Sequence, residues 1–544
     1  MASVKFKESE LCALLGKRLS TAELREKIEM LGMPVDGFEG GIFTVDITPN
    51  RIDLLSEEGM ARALASLTGS KKGLSAYSTE PSGMRLEIDK SVRGARPCIV
   101  MALARNVKLT DELLESLIAA QEKIHDTFGR NRKKVSIGLH DASKVKSPFV
   151  YEAVKEFTFT PLECTSPMTL AQVLKEHPKG KDYAHLVQHG KYPLLLDANA
   201  EVLSFPPIIN GSLTALTPAT KEMLIDVTGT SREAVSDALN VLCCLLADRG
   251  AKIFSIETTD GATPNLSPRT MKFDYKKANK LLGISINEKE ASDMLAKMGH
   301  EYTGGVVKYP CYRPDITHWV DLAEEVAIAF DYNNIPQTLP AFPSIAHPLP
   351  DHSDARLAML GLGYTQAVSW TLTNPKLNFT DVGLKPAPMA DTINTLTADF
   401  TSLRTHLLPN LLRILSDNRH VPTPHNIFEL GPVFDADGKE HLELCAVSTH
   451  AGANFSEARS ALEALLAELG FGPSAQNAPN ASHSTPGEKC EIAPKDHPSL
   501  SPGRSCIVKK SGKEIGYVGE ISEDVRRNFG IELPVSAFCL RLWK

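Results

Sequence analysis

Residues 4–32, VKFKESELCALLGKRLSTAELREKIEMLG, return without a gap as residues 271–299, MKFDYKKANKLLGISINEKEASDMLAKMG, at a constant offset of 267. Seven of the 29 aligned positions are identical, and both glycines and most apolar positions agree. Lys5-Phe6 matches Lys272-Phe273, Leu14-Leu15-Gly16 matches Leu281-Leu282-Gly283, and Leu31-Gly32 matches Met298-Gly299. A short strand, a helix stopped by glycine, a second helix and a strand pair around Gly40-Gly41 or Gly304-Gly305 are predicted in each copy. Both copies then close alike, on Asn50-Arg51-Ile52-Asp53 before Ser56-Glu57-Glu58 and on Arg313-Pro314-Asp315 before Asp321-Leu322-Ala323-Glu324-Glu325. One small α+β unit of about 65 residues is used twice.

The chain around these copies has 544 residues, enough for several domains. Hydrophobic residues make up 42 % and charged residues 23 %, which excludes disordered, collagen-like and membrane-spanning classes. With 59 basic and 66 acidic residues the formal charge is −7, and no basic tail is present, so any RNA contact must be local. The start, MASVKFKESELCALLGKR, has no apolar segment suited to export, and no window suits a membrane span, so a cytoplasmic protein with no membrane partner is expected. None of the ten cysteines falls in a CxxC pair, so no structural zinc is expected; Cys243 and Cys244, on an apolar helix pattern, read as buried thiols.

Between the copies, strand signals (CIVMALARNV, YPLLLDA, LIDVTG) alternate with helical ones. One helix is well marked, by a Thr230/Glu233 capping box, apolar residues from Ala234 to Leu246, and Gly250 after its last turn. Dense prolines (Pro336, Pro340, Pro343, Pro348, Pro350) predict a linker at 336–350. Beyond it, helices are predicted at 354–361, 403–416 and 457–469, the last capped by Ser456. Strands are predicted through Val368, Trp370 and Leu372, through Leu442, Leu444 and Ala446, in a hairpin turning at Ser511-Gly512, and in AFCLRL. The expected fold class is multidomain α+β: the duplicated small domain at 1–88 and 267–340, flanking a mixed α/β domain at 89–266, then an antiparallel-sheet domain at 341–544.

Asp321, Glu324 and Glu325 share one side of a predicted helix at i, i+3 and i+4, with Asp315 in the turn before it. Four converging carboxylates repel unless a cation neutralises them, and an oxygen-only set suits Mg²⁺. An acidic first turn favoured by the helix dipole is the plainer reading. The first copy, with Asp53 four and five residues before Glu57 and Glu58, lacks one of these carboxylates, so the fold does not require all four.

CYRPDITHWVDLAEEVAIAFDYNNIP, DITPNRIDLLSEEGMARAL and SLRTHLLPNLLRILSDNRHVPTPHNIFELGPVF resemble motifs of the phenylalanyl-tRNA synthetase β-subunit family, in its archaeal and eukaryotic branch. The resemblance covers almost the whole chain. It implies that residues 341–544 form an inactive class II synthetase-like domain at a subunit interface, and that ATP-dependent attachment of phenylalanine to tRNA(Phe) takes place on an α subunit. No residue of this chain is then catalytic for aminoacylation. Arg404 and Glu429 read as packing and a structural ion pair. The implied partners are the α subunit, in an (αβ)₂ heterotetramer, and tRNA(Phe). The implied cofactor is a Mg²⁺ shared with α and bound by Asp315, Asp321, Glu324 and Glu325, with ATP as substrate of the complex.

The central segment resembles the family's editing domain, which hydrolyses mischarged Tyr-tRNA(Phe). Leu195, Ser204, Asp226 and Thr228 match its pocket residues, with Pro206-Pro207-Ile208-Ile209-Asn210 as a rigid wall and Asn210 and His140 as weaker candidates. An apolar pocket rejects an added hydroxyl only about a hundredfold, which gives such a second site its reason. No Ser/His/Asp nucleophile spacing is visible, so attack by water is expected. The basic run Gly129-Arg130-Asn131-Arg132-Lys133-Lys134 is suited to the phosphate backbone of the acceptor end, or to solvent. Two other readings compete: a non-catalytic RNA-binding or assembly scaffold, and a free-standing aminoacyl-tRNA deacylase.

Overall fold

In both copies the first helix stops at its glycine. Glu8–Leu15 ends on Gly16 (φ 64°) and Tyr275–Leu282 on Gly283 (φ 71°), in the left-handed conformation that a residue without Cβ adopts freely. The second helices, Thr21–Met30 and Glu288–Lys297, both open on reciprocal capping boxes, Ser20 with Glu23 and Asn287 with Glu290. Three-stranded antiparallel sheets of the same order complete the match: Ala2–Lys7, Ile42–Ile47, Val35–Glu39 in one copy and Arg269–Lys272, Val306–Tyr309, Glu301–Thr303 in the other. The closing helices Glu57–Leu67 and Trp319–Phe330 are capped by Ser56 and His318, where the offset has fallen to 262. The structure, a computed structural model, describes residues 2–339, 341, 352–471 and 490–542.

The chain divides into two compact units, 1–340 and 341–544, so the three regions expected before residue 340 pack as one unit. Within the first, Phe6, Leu11 and Leu64 of the first copy, Leu239 and Leu242 of the central helix, and Cys311 and Tyr312 of the second copy share one hydrophobic core. The expected boundary at residue 88 is also corrected. Strand Glu80–Ile88, assigned above to the first small domain, lies inside the large central sheet, pairing parallel with Lys252–Thr258 and with Phe149–Val154.

That sheet runs Ile209–Asn210, Val202–Phe205, Tyr192–Leu196, Phe149–Val154, Glu80–Ile88, Lys252–Thr258, Cys98–Arg105, Glu222–Gly229, Val135–Asp141, with Gly261–Thr263 added on Lys252–Thr258. Helix Arg232–Asp248 covers one face; its cap is Ser231, one residue later than the predicted Thr230. Val135–Asp141 is an edge strand, and helix Asp111–Asp126 closes that edge: Gln121 Nε2 donates to the Ile137 carbonyl (2.8 Å) and His125 Nε2 accepts from the Ile137 N–H (2.8 Å).

The second unit is a seven-stranded sheet, antiparallel except for the short parallel pair at its edge: Thr365–Gln366, His425–Phe434, Glu440–Thr449, Val535–Leu542, Lys513–Ile521, Leu500–Lys510, Cys490–Pro494. Helices Ser353–Gly361 and Phe455–Glu468 pack on one face and Leu408–Asp417 on the other. The Ser511-Gly512 hairpin turn is present, both residues at positive φ (51° and 78°). Three expectations shift. Asn454 rather than Ser456 caps the helix at 455, and the helix expected from 403 starts at Leu408 because Ser402–Leu403 pairs with Leu372–Thr373. No strand spans Val368 to Leu372; the chain leaves the sheet there, and Val368 and Trp370 are 86 % and 77 % exposed. Of the predicted linker, Pro340, Pro343, Pro348 and Pro350 lie outside the described residues. Among the described residues no helix is long and apolar enough to cross a membrane.

Candidate functional site

Antiparallel alternation sets Asp226 and Thr228 on one face of Glu222–Gly229, opposite Gly138 and Ser136 of the edge strand, with His140 opposite Leu224. Asp226 and Ser204 line a common cavity of about 390 Å³, walled by Pro206, Pro207 and Ile208. Leu195 pairs directly with Ser204 in register but is fully buried in the apolar core with Tyr151 and Leu203. Thr228 is also fully buried, behind the cavity, where its hydroxyl accepts from Arg96 Nε (2.9 Å). The structure therefore brings two of the four predicted residues to the cavity surface and places the other two in its support.

His140, a weaker candidate in sequence, is central. Its Nε2 lies 2.7 Å from Asp226 Oδ2 and its Nδ1 lies 2.8 Å from Thr214 Oγ1. Gly138 makes room for this contact, since a Cβ there would stand 2.0 Å from Asp226 Oδ2 and 2.8 Å from His140 Nε2. Asp226 Oδ1 takes no hydrogen bond from the described residues, and Ser204 Oγ is buried without a partner. Asn210, also on the cavity, donates to the Leu139 carbonyl (3.2 Å) and so fixes the wall to the edge strand. Thr214 escaped the sequence reading altogether. The signal that could have found the network is the polar alternation Ser136, Gly138, His140 on a strand buried along both faces.

One residue of the basic run, Arg132, turns inward. Arg130, Asn131 and Arg132 all have positive φ (52°, 52° and 65°), a conformation that disfavours side chains with Cβ. The result buries Arg132, whose guanidinium donates to the Ile208 carbonyl (2.9 Å), pairs with Glu122 (2.7 Å) and lies over the Tyr183 ring (4.6 Å). Its role here is to hold the proline wall, a correction to the phosphate-tracking reading for this residue. Buried Arg96 fastens the same loop, donating to the Arg132 and Lys133 carbonyls (3.0 and 3.3 Å) and to the Thr228 carbonyl (2.8 Å); burial draws its guanidinium down to about 10.

The acidic set of the second copy is held differently from the expected open cluster. Arg313 grips Asp315 (Nη2 to Oδ2, 2.8 Å) and Glu325 (Nη2 to Oε1, 2.7 Å), and His300 Nε2 adds 2.9 Å to Glu325 Oε2. Burial pushes the Glu325 carboxyl up, yet Arg313 and His300 hold it well below the carboxylate range. Asp321 caps its helix, accepting from the Thr317 and His318 N–H groups (both 2.7 Å). Glu324 keeps no partner among the hydrogen bonds of the described residues; burial first, then Glu325, Asp321 and Asp315, raise its carboxyl. Among the described residues no three His, Cys, Asp or Glu side chains are arranged to hold a metal ion. Carboxylate oxygens are the donors a hard cation takes, and of the four only Glu324 is left without a hydrogen bond from the described residues.

In the second unit Arg404 and Glu429, both buried, form the expected ion pair (2.8 Å). Arg404 also donates to Ser369 Oγ (2.8 Å), Ser369 donates to Glu429 (2.5 Å), and Asn410 holds the Trp370 carbonyl (2.8 Å). This polar lock fixes the segment that presents Val368 and Trp370 to solvent.

Comparison with known proteins places the chain in a family. Residues 335–542 match the family model described as the phenylalanyl tRNA synthetase beta chain CLM domain, and residues 271–332 match the tRNA synthetase B5 domain. A phenylalanine–tRNA ligase beta subunit of Archaeoglobus fulgidus is 39 % identical, over 97 % of this chain and 96 % of its own length. One from Methanococcus maripaludis is 35 % identical over 99 % of both. Among solved structures, an N-terminal fragment of the phenylalanyl-tRNA synthetase beta subunit from Pyrococcus horikoshii superposes with a TM-score of 0.58 at 37 % identity, covering 60 % of this chain and 99 % of that one.

Proposed function

The chain belongs to the family of phenylalanine–tRNA ligase β subunits, and from that premise we propose that it pairs with an α subunit that charges tRNA(Phe) and itself clears tyrosine from that tRNA. The observation that carries the editing role is the free Asp226 Oδ1 inside a cavity walled by Pro206, Pro207 and Ile208. A tyrosine hydroxyl can donate to this oxygen, whereas phenylalanine would leave Oδ1 without a hydrogen bond from the substrate while Oδ2 keeps His140, and such mismatches discriminate between the two side chains. Ser204 Oγ offers a second unpartnered group at the same place. Leu195 and Thr228 serve from behind, by packing and by anchoring Arg96.

The α subunit docks on the second unit, in this reading, at the surface that Arg404 and Glu429 hold rigid. Val368 and Trp370 are joined there by Phe400, whose ring lies 6.5 Å from that of Trp370. Exposed aromatic and aliphatic side chains on a preorganised backbone are what a permanent interface uses. An (αβ)₂ assembly in the cytosol follows the family pattern. ATP is the substrate of the complex. Asp321 and Glu324, with Asp315 and Glu325 at their edge, would hold a Mg²⁺ whose remaining ligands come from α.

The test is discharge of preformed Tyr-tRNA(Phe) and Phe-tRNA(Phe) by the co-purified αβ pair. The tyrosyl ester should be cleared faster, and Asp226→Ala should lower that clearance by about a hundredfold while phenylalanine charging continues. Equal clearance of both esters would overturn the editing role. Charging by the β chain alone would overturn the division of labour.

A further inference from the structure

We propose that a second cavity of the first unit, between helix Arg232–Asp248 and the segment 262–269, binds an adenine nucleotide. It encloses about 350 Å³ and shares no lining residue with the cavity of Ser204 and Asp226. Arg232, Ser236 and Asn240 line it from the helix, at i, i+4 and i+8 along one face. Thr263 and Arg269 line it from the segment that leads into the second copy of the small unit. The volume is roughly ten times a water's share of the liquid and falls among those of small-molecule sites.

Asn240 is what points to a ligand. It is 4 % exposed, yet its Oδ1 is buried without a hydrogen-bond partner and its Nδ2 donates to none of the described residues. Buried amides are ordinarily paired, because an unmade hydrogen bond leaves the desolvation cost uncompensated. The neighbouring hydroxyls are already committed. Ser236 Oγ donates to the Arg232 carbonyl (2.9 Å), and Thr263 Oγ1 donates to the Met101 carbonyl (2.8 Å) while accepting from the Met101 N–H (3.2 Å). Asn240 thus keeps an acceptor and a donor side by side for whatever occupies the cavity. A carboxamide pairs bidentately with an edge that offers a donor beside an acceptor, as adenine does through its N6 amino group and N7.

The charges supply the other half of the ligand. Arg232 Nη1 is clamped on Asp260 (2.6 Å) and Arg269 Nη2 on Asp237. A guanidinium carries five N–H donors, and each clamp uses one. The two side chains are 40 % and 33 % exposed, so their remaining donors are open to phosphate oxygens, which suit the planar fork of arginine. Because the clamps hold both arginines in place beforehand, little rotamer freedom is lost on binding. Eight residues of helix, about 12 Å, separate Asn240 from Arg232, a span that matches a nucleoside monophosphate. A base at Asn240 therefore lays its phosphate toward Arg232. Free AMP and an unpaired adenosine of RNA share this chemistry.

The co-purified αβ pair tests it, with the synthetic site of α saturated by a non-hydrolysable phenylalanyl-adenylate analogue and the pair dialysed to equilibrium against labelled AMP. We expect one AMP per β chain, and binding at least about tenfold weaker in Asn240→Leu, which keeps the side-chain volume and loses both hydrogen bonds. The unliganded pair should melt no lower with that substitution, since an unpaired buried amide has been removed. Arg232→Met should weaken AMP at least about tenfold and leave adenosine unchanged. Displacement of the AMP by uncharged tRNA(Phe) assigns the site to an RNA adenosine, and its retention to the free nucleotide. Equal AMP binding by wild type and Asn240→Leu, or none beyond α, would overturn the site. Equal binding of UMP would overturn adenine as its base. Should Asn240→Leu not fold, Arg232→Met decides, and AMP bound as tightly as by wild type would overturn the site.

Discussion

The two copies of the small unit keep the same elements and the same Arg-x-Asp turn, Arg51 bidentate on Asp53 (2.9 and 2.9 Å) and Arg313 on Asp315 (2.9 and 2.8 Å). Their closing helices then part company. Counted from the caps Ser56 and His318, Gly59, Arg62 and Ala63 of the first copy stand where the second has Asp321, Glu324 and Glu325. In the first copy Arg62 reaches outward, pairing with Asp248 (2.5 Å) and lying over the Tyr312 ring (3.8 Å). The helix there joins the shared core. In the second copy the same face gathers carboxylates around Arg313. The arginine–aspartate turn is common to both copies, whereas the acids belong to the second alone, where Asp321 caps the helix, Glu325 pairs with Arg313 and His300, and Glu324 takes no hydrogen bond from the described residues.

Removing the arginines should separate the copies most. Arg313→Met leaves Asp315 and Glu325 buried without their cation and should cost about 3–5 kcal/mol, the range for breaking a buried pair. Arg51→Met strands Asp53 alone and should cost less, read by urea denaturation of both variants. Equal losses would mean that Glu325 draws nothing from Arg313. Exchanging the helix residues comes next. Gly59→Asp puts a Cβ 1.7 Å from the Asp53 carbonyl, and should destabilise by about 3 kcal/mol through forced backbone movement. The reverse change, Asp321→Gly, removes helix-capping bonds and should cost about 1 kcal/mol.

Protonation sharpens the contrast between two neighbours. Glu325 titrates in the folded chain well below its unfolded value, so its stabilisation is complete above that value, about 4.3, and is lost as pH falls through the acid range, at up to about 1.4 kcal/mol per pH unit. Glu325→Gln should flatten that acid limb in thermal scans. Glu324 shifts the other way, so it favours the fold when protonated and the benefit fades as pH rises through the carboxylate range. The smallest effect is therefore on the chain alone in EDTA, where Glu324→Gln should not lower the melting temperature. The αβ pair in Mg²⁺ should melt lower with that substitution. Identical melting of mutant and wild-type pairs with and without EDTA would remove the cation from the account.

Local signals were legible in the sequence and distant pairings were not. Gly16 and Gly283 act within one helical turn, and they predicted where the first helix of each copy stops. Strand Glu80–Ile88 was misassigned because its neighbours, Lys252–Thr258 and Phe149–Val154, are remote in sequence. Caps slipped by one or two residues where several capping side chains adjoin, as with Thr230 and Ser231. Arg132 read as a surface charge because nothing local announced three successive left-handed residues. The cavity was half legible. Ser204 and Asp226 came from motif position, whereas Thr214 reaches His140 only through a turn that Gly211 makes possible.

The core shared by the first copy and helix Arg232–Asp248 bears on the order in which the chain can fold. Arg249, just past that helix, clamps Glu10 and Glu58, so the first copy cannot bury its inner face until some 180 further residues have been made. At about 5–20 residues per second, the face of helix Glu57–Leu67 that meets helix Arg232–Asp248 waits on the order of ten seconds or more for that partner to be made. A fragment cut near residue 88 would lack helix Arg232–Asp248 and leave that helix face without its partner.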